Sequence, residues 1–474
     1  MRDLSPVTPE FAEQLGKLIG SENVKPAEAR YLEEPRGRFS AAPTVLVTPR
    51  STMDVSKVVT TCHNFRIAIV PYAGGTGLVG GQTKPDGGPS AVILSLEKMD
   101  AIRDVDTSAG ILTAEAGVIL AEAQKAADEQ GFLYPLSIAS EGSARLGGTL
   151  ATNAGGTQVI RYGNTRDFVL GIEAVMPDGG IYHGLKKLKK DNTGFDLRHL
   201  LIGSEGALGI ITAATVQLSP KPMEHVTGWF SVPDPEAAVD LLSRYQVDLS
   251  GLISSFELMN KLGLGFVRDY VPNVSLPTNE IPEWSVLVEL GGGPGSNITE
   301  RLGASFETAL LDGLVSDGLV AQSSAQSDAL WAVRESIPLG NRAVGAVSNH
   351  DISVPVSSIP HFIAEADAKV TSLGPVRVGA FGHVGDGNLH YNVFPQEGQS
   401  RDTLDHLRPA IKETVHDLVH AYHGSVAAEH GVGRMKVDDL EKYSDPTKIS
   451  VMRRIKSALD PNGIMNPGVL FAAD

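Results

Sequence analysis

Glycine placement constrains this chain more than any other feature of its sequence. Many of its 51 glycines fall in three clusters, at residues 74–88, 142–156 and 203–209. Glycine is required where the backbone takes dihedrals closed to other residues or lies close against a ligand. In the first cluster, Gly75-Thr76-Gly77-Leu78-Val79-Gly80 follows a strand and matches the dinucleotide fingerprint G-x-G-x-x-G, with Glu97 near the distance of a ribose-binding acid. That fingerprint needs a helix opening at its last glycines, so that the helix N-terminus meets the pyrophosphate. Here the chain continues Gly81-Gln82-Thr83-Lys84-Pro85-Asp86-Gly87-Gly88-Pro89, which cannot be helix. A Walker loop is excluded as well, because no Gly-Lys-Ser/Thr follows. The cluster reads instead as a long loop whose N–H groups and Thr76 form an anion-binding nest suited to a diphosphate. A purely structural turn has little need of Gly74, Gly75, Gly77, Gly80 and Gly81 together.

The second cluster has the same small-residue character: Pro135-Leu136-Ser137, Gly142-Ser143, then Gly147-Gly148-Thr149-Leu150-Ala151-Thr152-Asn153-Ala154-Gly155-Gly156. The third is Ile202-Gly203-Ser204-Glu205-Gly206-Ala207-Leu208-Gly209-Ile210-Ile211; alone it reads as a plain loop before a buried strand, but three such loops in one domain weigh against that. Around these clusters, residues 1–40 read as helical, with Phe11, Leu15 and Leu18 at helical spacing. Strands at 44–47, 67–71, 91–96 and 112–116 then alternate with helices at 52–64 and 117–130, an α/β or α+β arrangement. Past Pro220-Lys221-Pro222 the pattern restarts. Strands at 226–232, around 254–257 and at 285–290, with helices from 235 to 245 and on to about Asp312, predict a second α/β sandwich.

A different signal lies near the C-terminus. In Gly382-His383-Val384-Gly385-Asp386-Gly387-Asn388-Leu389-His390-Tyr391-Asn392 two histidines flank a turn, and Glu429-His430 follows about forty residues later. Asp-Gly is a preferred pair for a two-residue type I′ hairpin. Counting from Asp386-Gly387 sets Val384 opposite Leu389 and His383 opposite His390, with Cβ atoms roughly 4.5–5.5 Å apart. That spacing suits two imidazoles sharing one metal ion. Asn392 points the same way, because side chains alternate along a strand. Glu429 offers a third, oxygen ligand and leaves His430 free as a base. The alternative is a glycine-rich hairpin with two structurally satisfied histidines.

Composition narrows the classes. Length predicts two or three domains with ample core, and 42% hydrophobic with 20% charged residues is ordinary for a globular chain. Lys+Arg 40 against Asp+Glu 56 gives −16, which argues against nucleic acid or an anionic membrane surface as partner. The basic run Lys186-Lys187-Leu188-Lys189-Lys190 reads as a solvated loop. A single cysteine, Cys62, excludes an internal disulfide and a thiolate metal cluster. No stretch is long and apolar enough to span a bilayer. Met1-Arg2-Asp3-Leu4-Ser5-Pro6 lacks the apolar run of a signal peptide, so a cytoplasmic protein is expected.

Taken together, Pro71-Tyr72-Ala73-Gly74-Gly75-Thr76-Gly77-Leu78, Gly147–Gly156, Arg161-Tyr162-Gly163 and Ile202–Ile211 resemble the FAD-binding fold of the vanillyl-alcohol oxidase/p-cresol methylhydroxylase (PCMH) superfamily. The stretches Gly382–His390, Glu429-His430-Gly431-Val432-Gly433 and Asp460-Pro461-Asn462-Gly463-Ile464-Met465-Asn466-Pro467-Gly468 are similar to its D-lactate and D-2-hydroxyglutarate dehydrogenase branch. The resemblance runs from about residue 40 to the C-terminus. It implies an α+β chain: a two-subdomain PCMH-type FAD fold with an inserted α/β substrate cap containing an antiparallel sheet. The expected domains are 1–220 for FAD (with the helical segment 1–40), 221–424 for the cap, and 425–474 returning to complete the FAD domain.

The resemblance also implies residue roles. FAD would be held by Pro71, Ala73, Gly74, Gly75, Thr76, Gly77, Leu78 and Gly80, and by Pro135, Gly142, Ser143, Gly147, Gly148, Thr152, Asn153, Gly155 and Gly156. Tyr162, Gly163, Glu205, Gly206, Gly209, Ile210, Ile211 and Asn466 complete that set. The glycine loop carries neither His nor Cys, so non-covalent FAD is expected. His383, His390 and Glu429 would bind a divalent metal, with Zn²⁺ the expected ion and Mn²⁺ or Fe²⁺ also suited to the set. His430 would take the hydroxyl proton of a D-2-hydroxy acid while its C2 hydride passes to flavin N5. Arg334 would grip the substrate carboxylate, although alone it reads as a surface neighbour of Glu335. Asn392 matches a position that is polar in the hydroxyglutarate branch. The departures are Asn349, where that branch commonly has Lys, and Pro338, where some members have a hydroxyl residue. They keep D-malate and D-lactate open as substrates. The remaining alternatives are a flavin electron-transfer subunit and an oxidase handing electrons to O₂. A dehydrogenase of this kind would pass electrons to an electron-transfer flavoprotein or a quinone, with a homodimer as one open assembly.

Overall fold

A computed structural model describes residues 4–472, so Met1–Asp3 of the N-terminal reading lie outside the described residues. The chain forms two compact units. The first comprises Met1–Gly155, Asn164–Lys221 and Glu429–Asp474, the second Gly156–Gly163 and Pro222–Ala428. Residues 156–163, which the sequence assigns to the FAD domain, are thus counted with the second unit.

In the first unit the opening helix covers only Pro9–Ile19, capped by Thr8, whose Oγ1 accepts from Phe11 N at 3.2 Å. Its buried stripe is Phe11, Leu15 and Ile19; Leu18 lies one position off it and is 40% exposed. Gly20, at φ +93°, ends the helix, and the expectation of helix throughout 1–40 fails beyond it. The chain then extends into β1 (Val24–Pro26), which pairs antiparallel with β2 (Val45–Val47). β2, β4 (Val92–Ser95) and β3 (Ile69–Tyr72) are parallel neighbours in the sheet order β1-β2-β4-β3. Parallel strands need a crossover, supplied by the helix Thr52–Phe65 with Ser51 as its cap. A second, antiparallel sheet joins β5 (Ile102–Asp106), β6 (Ile111–Glu115), β8 (Val169–Val175), β9 (Ile181–Gly184) and β10 (Ile210–Gln217) in the order β5-β6-β10-β8-β9. The short β7 (Phe132–Leu133) and β11 (Ser219–Pro220) pair separately. The C-terminal segment returns to this unit: Ile69 of β3 exchanges bonds with it through Ile69 N→Ile464 O and Asn466 N→Ile69 O, both 2.8 Å.

The second unit is built on one seven-stranded antiparallel sheet. Its strands are β12 (Glu224–Val232), β13 (Ile253–Asn260), β14 (Trp284–Gly292), β15 (Asp317–Val320), β16 (Ser348–Ser353), β17 (Val376–Gly382) and β18 (Asn388–Pro395), ordered β15-β12-β14-β13-β17-β18-β16. Alternation divides the side chains between two faces. Phe230, Phe256, Val288, Ile352, Ala380, Leu389 and Tyr391 face one way and form the larger core with the helices Pro235–Asp248, Ile359–Ser372 and Arg408–Ala421. Trp229, Met259, Leu287 and Phe381 face the other way, under the helices Lys261–Tyr270 and Ser324–Val344. On this second face, β16 and β18 present polar residues instead. Among the described residues no helix is long and apolar enough to cross a membrane.

Candidate active site

In the first unit, β3 ends at Tyr72 and the chain enters the Ala73–Gly81 loop with no helix opening, as the sequence requires. Glu97 is not available to a ribose: Tyr31 Oη sits 2.9 Å from both of its oxygens. Among the described residues, the N–H groups of Gly74, Gly75, Thr76, Gly77 and Leu78 have no protein acceptor, while the loop is half-buried. A run of unpaired, sheltered N–H groups is the chemistry of an anion nest. A Cβ at Gly74 would lie 2.3 Å from Ser143 O, and one at Gly148 would lie 3.0 Å from Ala73 Cβ. The first two glycine clusters therefore pack backbone to backbone, which only glycine permits at position 74.

Three segments meet behind that loop. Half-buried Arg434 donates to Gly80 O (2.8 Å), Gly81 O (2.9 Å), Asn466 Oδ1 (2.7 Å) and Pro467 O (3.1 Å). Burial lowers its pKa to about 10, against the opposing pull of Glu205. Glu205, held at φ +51°, accepts from Val432 N (2.8 Å) and Gly433 N (2.7 Å). Burial raises its carboxyl above the ordinary range even so. Asn466 Nδ2 donates to Gly81 O and Glu205 O. The side chains of Glu205 and Asn466 thus brace the loops, and Arg434, which sequence reasoning passed over, is the central brace. Gly206 is tight against Pro71, where a Cβ would come within 2.6 Å of Pro71 Cγ. Ile210 and Ile211 turn their side chains into the apolar cores, and Thr152 Oγ1 bonds Gly148 O. Asn153 adopts φ +49° and accepts from Arg166 N, while Gly142 opens onto free space and Pro135, Gly155 and Gly209 stay in loops. Tyr162 and Gly163, with Gly156, belong to the second unit, where Arg161 Nη1 fixes their segment to Leu252 O (3.1 Å) and Gly291 O (2.7 Å).

The hairpin of the second unit corrects the sequence-based register. His390 pairs with Phe381, not His383, and residues Val384–Asp386 form a 3₁₀ turn. A type I′ turn needs positive φ at both central residues; only Gly387 has it, at +89°. Asp386 instead accepts the amide of Asn388 at 3.1 Å, and the connection between the strands widens to residues 383–387. The shift amounts to two residues, so every side chain keeps its face. His383 and His390 remain neighbours, their ring centroids 5.5 Å apart at 80°.

Around them the sheet face closes a ring of contacts. Glu257 on β13, wholly buried, accepts from His383 Nδ1 at 2.6 Å and from Arg334 Nε at 2.7 Å. Arg334 is 6% exposed, not a surface charge, and its guanidinium lies 5.0 Å over the Phe381 ring. Phe381 in turn contacts His390, with centroids 4.8 Å apart. Burial alone would raise the Glu257 carboxyl; Arg334 and His383 outweigh it and bring its pKa down to about 2. Asp351, 3.8 Å from His390 Nδ1, backs the second imidazole and is itself held by Asn388 Nδ2 at 3.0 Å. Each imidazole thus turns Nδ1 toward a carboxylate, within hydrogen-bond distance for His383 and at 3.8 Å for His390, as histidines backed by an outer carboxylate do. Asn392 lies beside Gly379 and Asn349 on the same face; it is 6% exposed, and its amide has no partner among the described residues. Asn349 is exposed. Pro338 is exposed inside the helix Ser324–Val344 and, lacking an N–H, leaves the carbonyl of Arg334 without its helical donor. In the first unit, Glu429 Oε2 and His430 Nε2 are 3.9 Å apart.

Glu257 and Asp351 were missed as site residues. The available signal was a carboxylate inside Ile253-Ser254-Ser255-Phe256-Glu257-Leu258-Met259, an otherwise buried strand, where an unpaired charge is rarely tolerated.

Comparison with known proteins bears on both units. Residues 43–184 match the family described as FAD binding domain, and residues 221–470 match FAD linked oxidases, C-terminal domain. The chain is 36% identical to D-2-hydroxyglutarate dehydrogenase, mitochondrial, of Bos taurus, over 95% of this chain and 80% of that protein. It is 35% identical to the protein of that name from Arabidopsis thaliana, over 91% of this chain and 75% of the relative. The D-2-hydroxyglutarate dehydrogenase of Xanthomonas citri pv. viticola is 35% identical over 92% of this chain and 90% of its own. In fold, the chain is similar to p-cresol methylhydroxylase, at a TM-score of 0.73 and 18% identity over 98% of both chains.

Proposed function

The chain belongs to the FAD-linked oxidase family, and from that premise we propose that it oxidises D-2-hydroxyglutarate to 2-oxoglutarate. The observation that carries the reading is the ring Arg334–Glu257–His383–His390–Phe381 on one face of the second unit's sheet. Arg334 spends Nε on Glu257, and its terminal nitrogens have no protein acceptor among the described residues. Aimed by that bond, they form a planar fork for the carboxylate beside the reacting carbon. The unpartnered amide of Asn392 supports a second polar group on the substrate, as a diacid has.

FAD supplies the hydride acceptor when bound, and the unpaired N–H groups of residues 74–78 with the glycine-lined approach at Gly74 fit its diphosphate. For the metal, His383, His390 and Glu429 would offer two imidazoles and one carboxylate as the donor set. Support for Glu429 comes from the chain itself: Ala428, its immediate predecessor, donates to Asp351 O at 3.4 Å, and Asp351 pairs with His390 across β16 and β18. A divalent ion there, with Zn²⁺ the ion favoured by such ligands, would lower the pKa of the substrate hydroxyl. His430 then takes the hydroxyl proton. Electrons leave to an acceptor such as an electron-transfer flavoprotein or a quinone.

Turnover with an artificial electron acceptor tests the substrate. D-2-hydroxyglutarate should give stoichiometric 2-oxoglutarate with a higher kcat/KM than D-malate or D-lactate. A higher kcat/KM for D-lactate would replace the diacid reading.

A further inference from the structure

We infer that Glu257 is a positioning residue that fixes the substrate-binding arginine and the first metal-ligand histidine with one carboxylate. The inference rests on the reading of Arg334 and His383 given above. Each oxygen of Glu257 has its own donor: Oε1 takes His383 Nδ1 at 2.6 Å and Oε2 takes Arg334 Nε at 2.7 Å. The carboxylate is fully buried and Arg334 nearly so, and the three side chains come from different elements: β13, the helix Ser324–Val344 and the turn that follows β17. A buried charge cluster is a poor way to stabilise a fold, since apolar residues of equal volume do as well or better. Its geometric consequences are specific. Placing the proton on His383 Nδ1 presents the Nε2 lone pair to a metal. Engaging Nε of Arg334 sets the plane of the guanidinium and the direction of its two terminal nitrogens. The Phe381 ring, 5.0 Å beneath that plane, restricts it from the other side. A glutamine at position 257 would keep the volume but offer one acceptor: with its oxygen on Arg334 Nε, its NH₂ faces His383 Nδ1, which keeps the contact only by becoming the acceptor and moving its proton to Nε2.

The test uses the flavin-loaded, full-length protein and its Glu257→Gln variant, with two equilibrium readouts. Zn²⁺ affinity is measured by competition with a chromophoric chelator, and 2-oxoglutarate affinity by perturbation of the flavin spectrum after chelation of the metal. The inference expects Zn²⁺ affinity to fall about 10–100-fold and oxo-acid affinity in the metal-free protein to fall roughly tenfold or more. Glu257→Asp, which keeps the charge but shortens its reach, should show the same two losses in smaller measure and serves where the glutamine variant does not fold. A merely structural role would lower the melting temperature and leave both affinities of the folded protein intact. Unchanged affinities, or a loss in only one of the two, overturn the inference. Wild-type protein that takes up no Zn²⁺ overturns instead the metal reading on which it rests.

Discussion

At the scale of single residues, the site divides into side chains visible in the sequence and side chains that support them. His383, His390 and Asn392 were legible because the Gly-rich turn between two histidines and the alternation of a strand place them on one face. Arg334 was not legible from its neighbours; alone it reads as surface charge, and its burial depends on Glu257, 77 positions away. Glu257 and Asp351 escaped because an outer carboxylate has no spacing rule that ties it to the histidine it backs. His383→Ala, His390→Ala and Glu429→Ala should each strip the metal, read by elemental analysis, while the flavin spectrum persists. His430→Ala should keep metal and FAD and slow flavin reduction by about 10²–10⁴-fold, the contribution of a positioned base. Metal retained in the first three variants would remove the ligand assignment. Asn349 stands beside Asn392 in the β16–β18 register. Asn349→Lys should therefore lower KM for the diacid by roughly one to two orders of magnitude, the worth of a charge-assisted hydrogen bond. Unchanged KM values for every diacid would place Asn349 outside the acid-binding end.

At the scale of elements, the sequence located strands and helices better than it located turns. The hairpin at 383–390 is the instructive error. Asp-Gly pointed to a two-residue turn, but the Asp386 carboxylate captured the Asn388 amide and widened the loop. The face survived because the slip was even. The opening helix stopped at Gly20 because positive φ there breaks the repeat, a signal present in the sequence and outweighed by the apolar spacing. The glycine loop at 73–81 was read as non-helical from the Gly/Pro-rich run after it, and among the described residues no helix opens there and the amides of residues 74–78 have no protein acceptor. It contains no His or Cys to bond a flavin. Acid or heat precipitation should consequently release the yellow chromophore into the supernatant, and flavin pelleting with the chain would contradict that reading.

On the scale of the whole molecule, the α+β architecture and the FAD-linked oxidase family were accessible from sequence because their glycine clusters impose local backbone demands. The division into units was less so. Residues 156–163 count with the second unit through Arg161's bonds to Leu252 O and Gly291 O, contacts that no local pattern announces. Under the proposed function, Arg334 and the histidine pair hold a D-2-hydroxy acid by its carboxylate and hydroxyl, so that one configuration at C2 delivers its hydrogen to the flavin. Inverting C2 turns that hydrogen away while leaving the same carboxylates and hydroxyl. Anaerobic stopped-flow mixing of the purified protein with each enantiomer of 2-hydroxyglutarate tests this directly, by following loss of the oxidised-flavin absorbance. The account predicts full bleaching with the D-isomer and none with the L-isomer on the same timescale. Equal bleaching by both, or bleaching by the L-isomer alone, would contradict it.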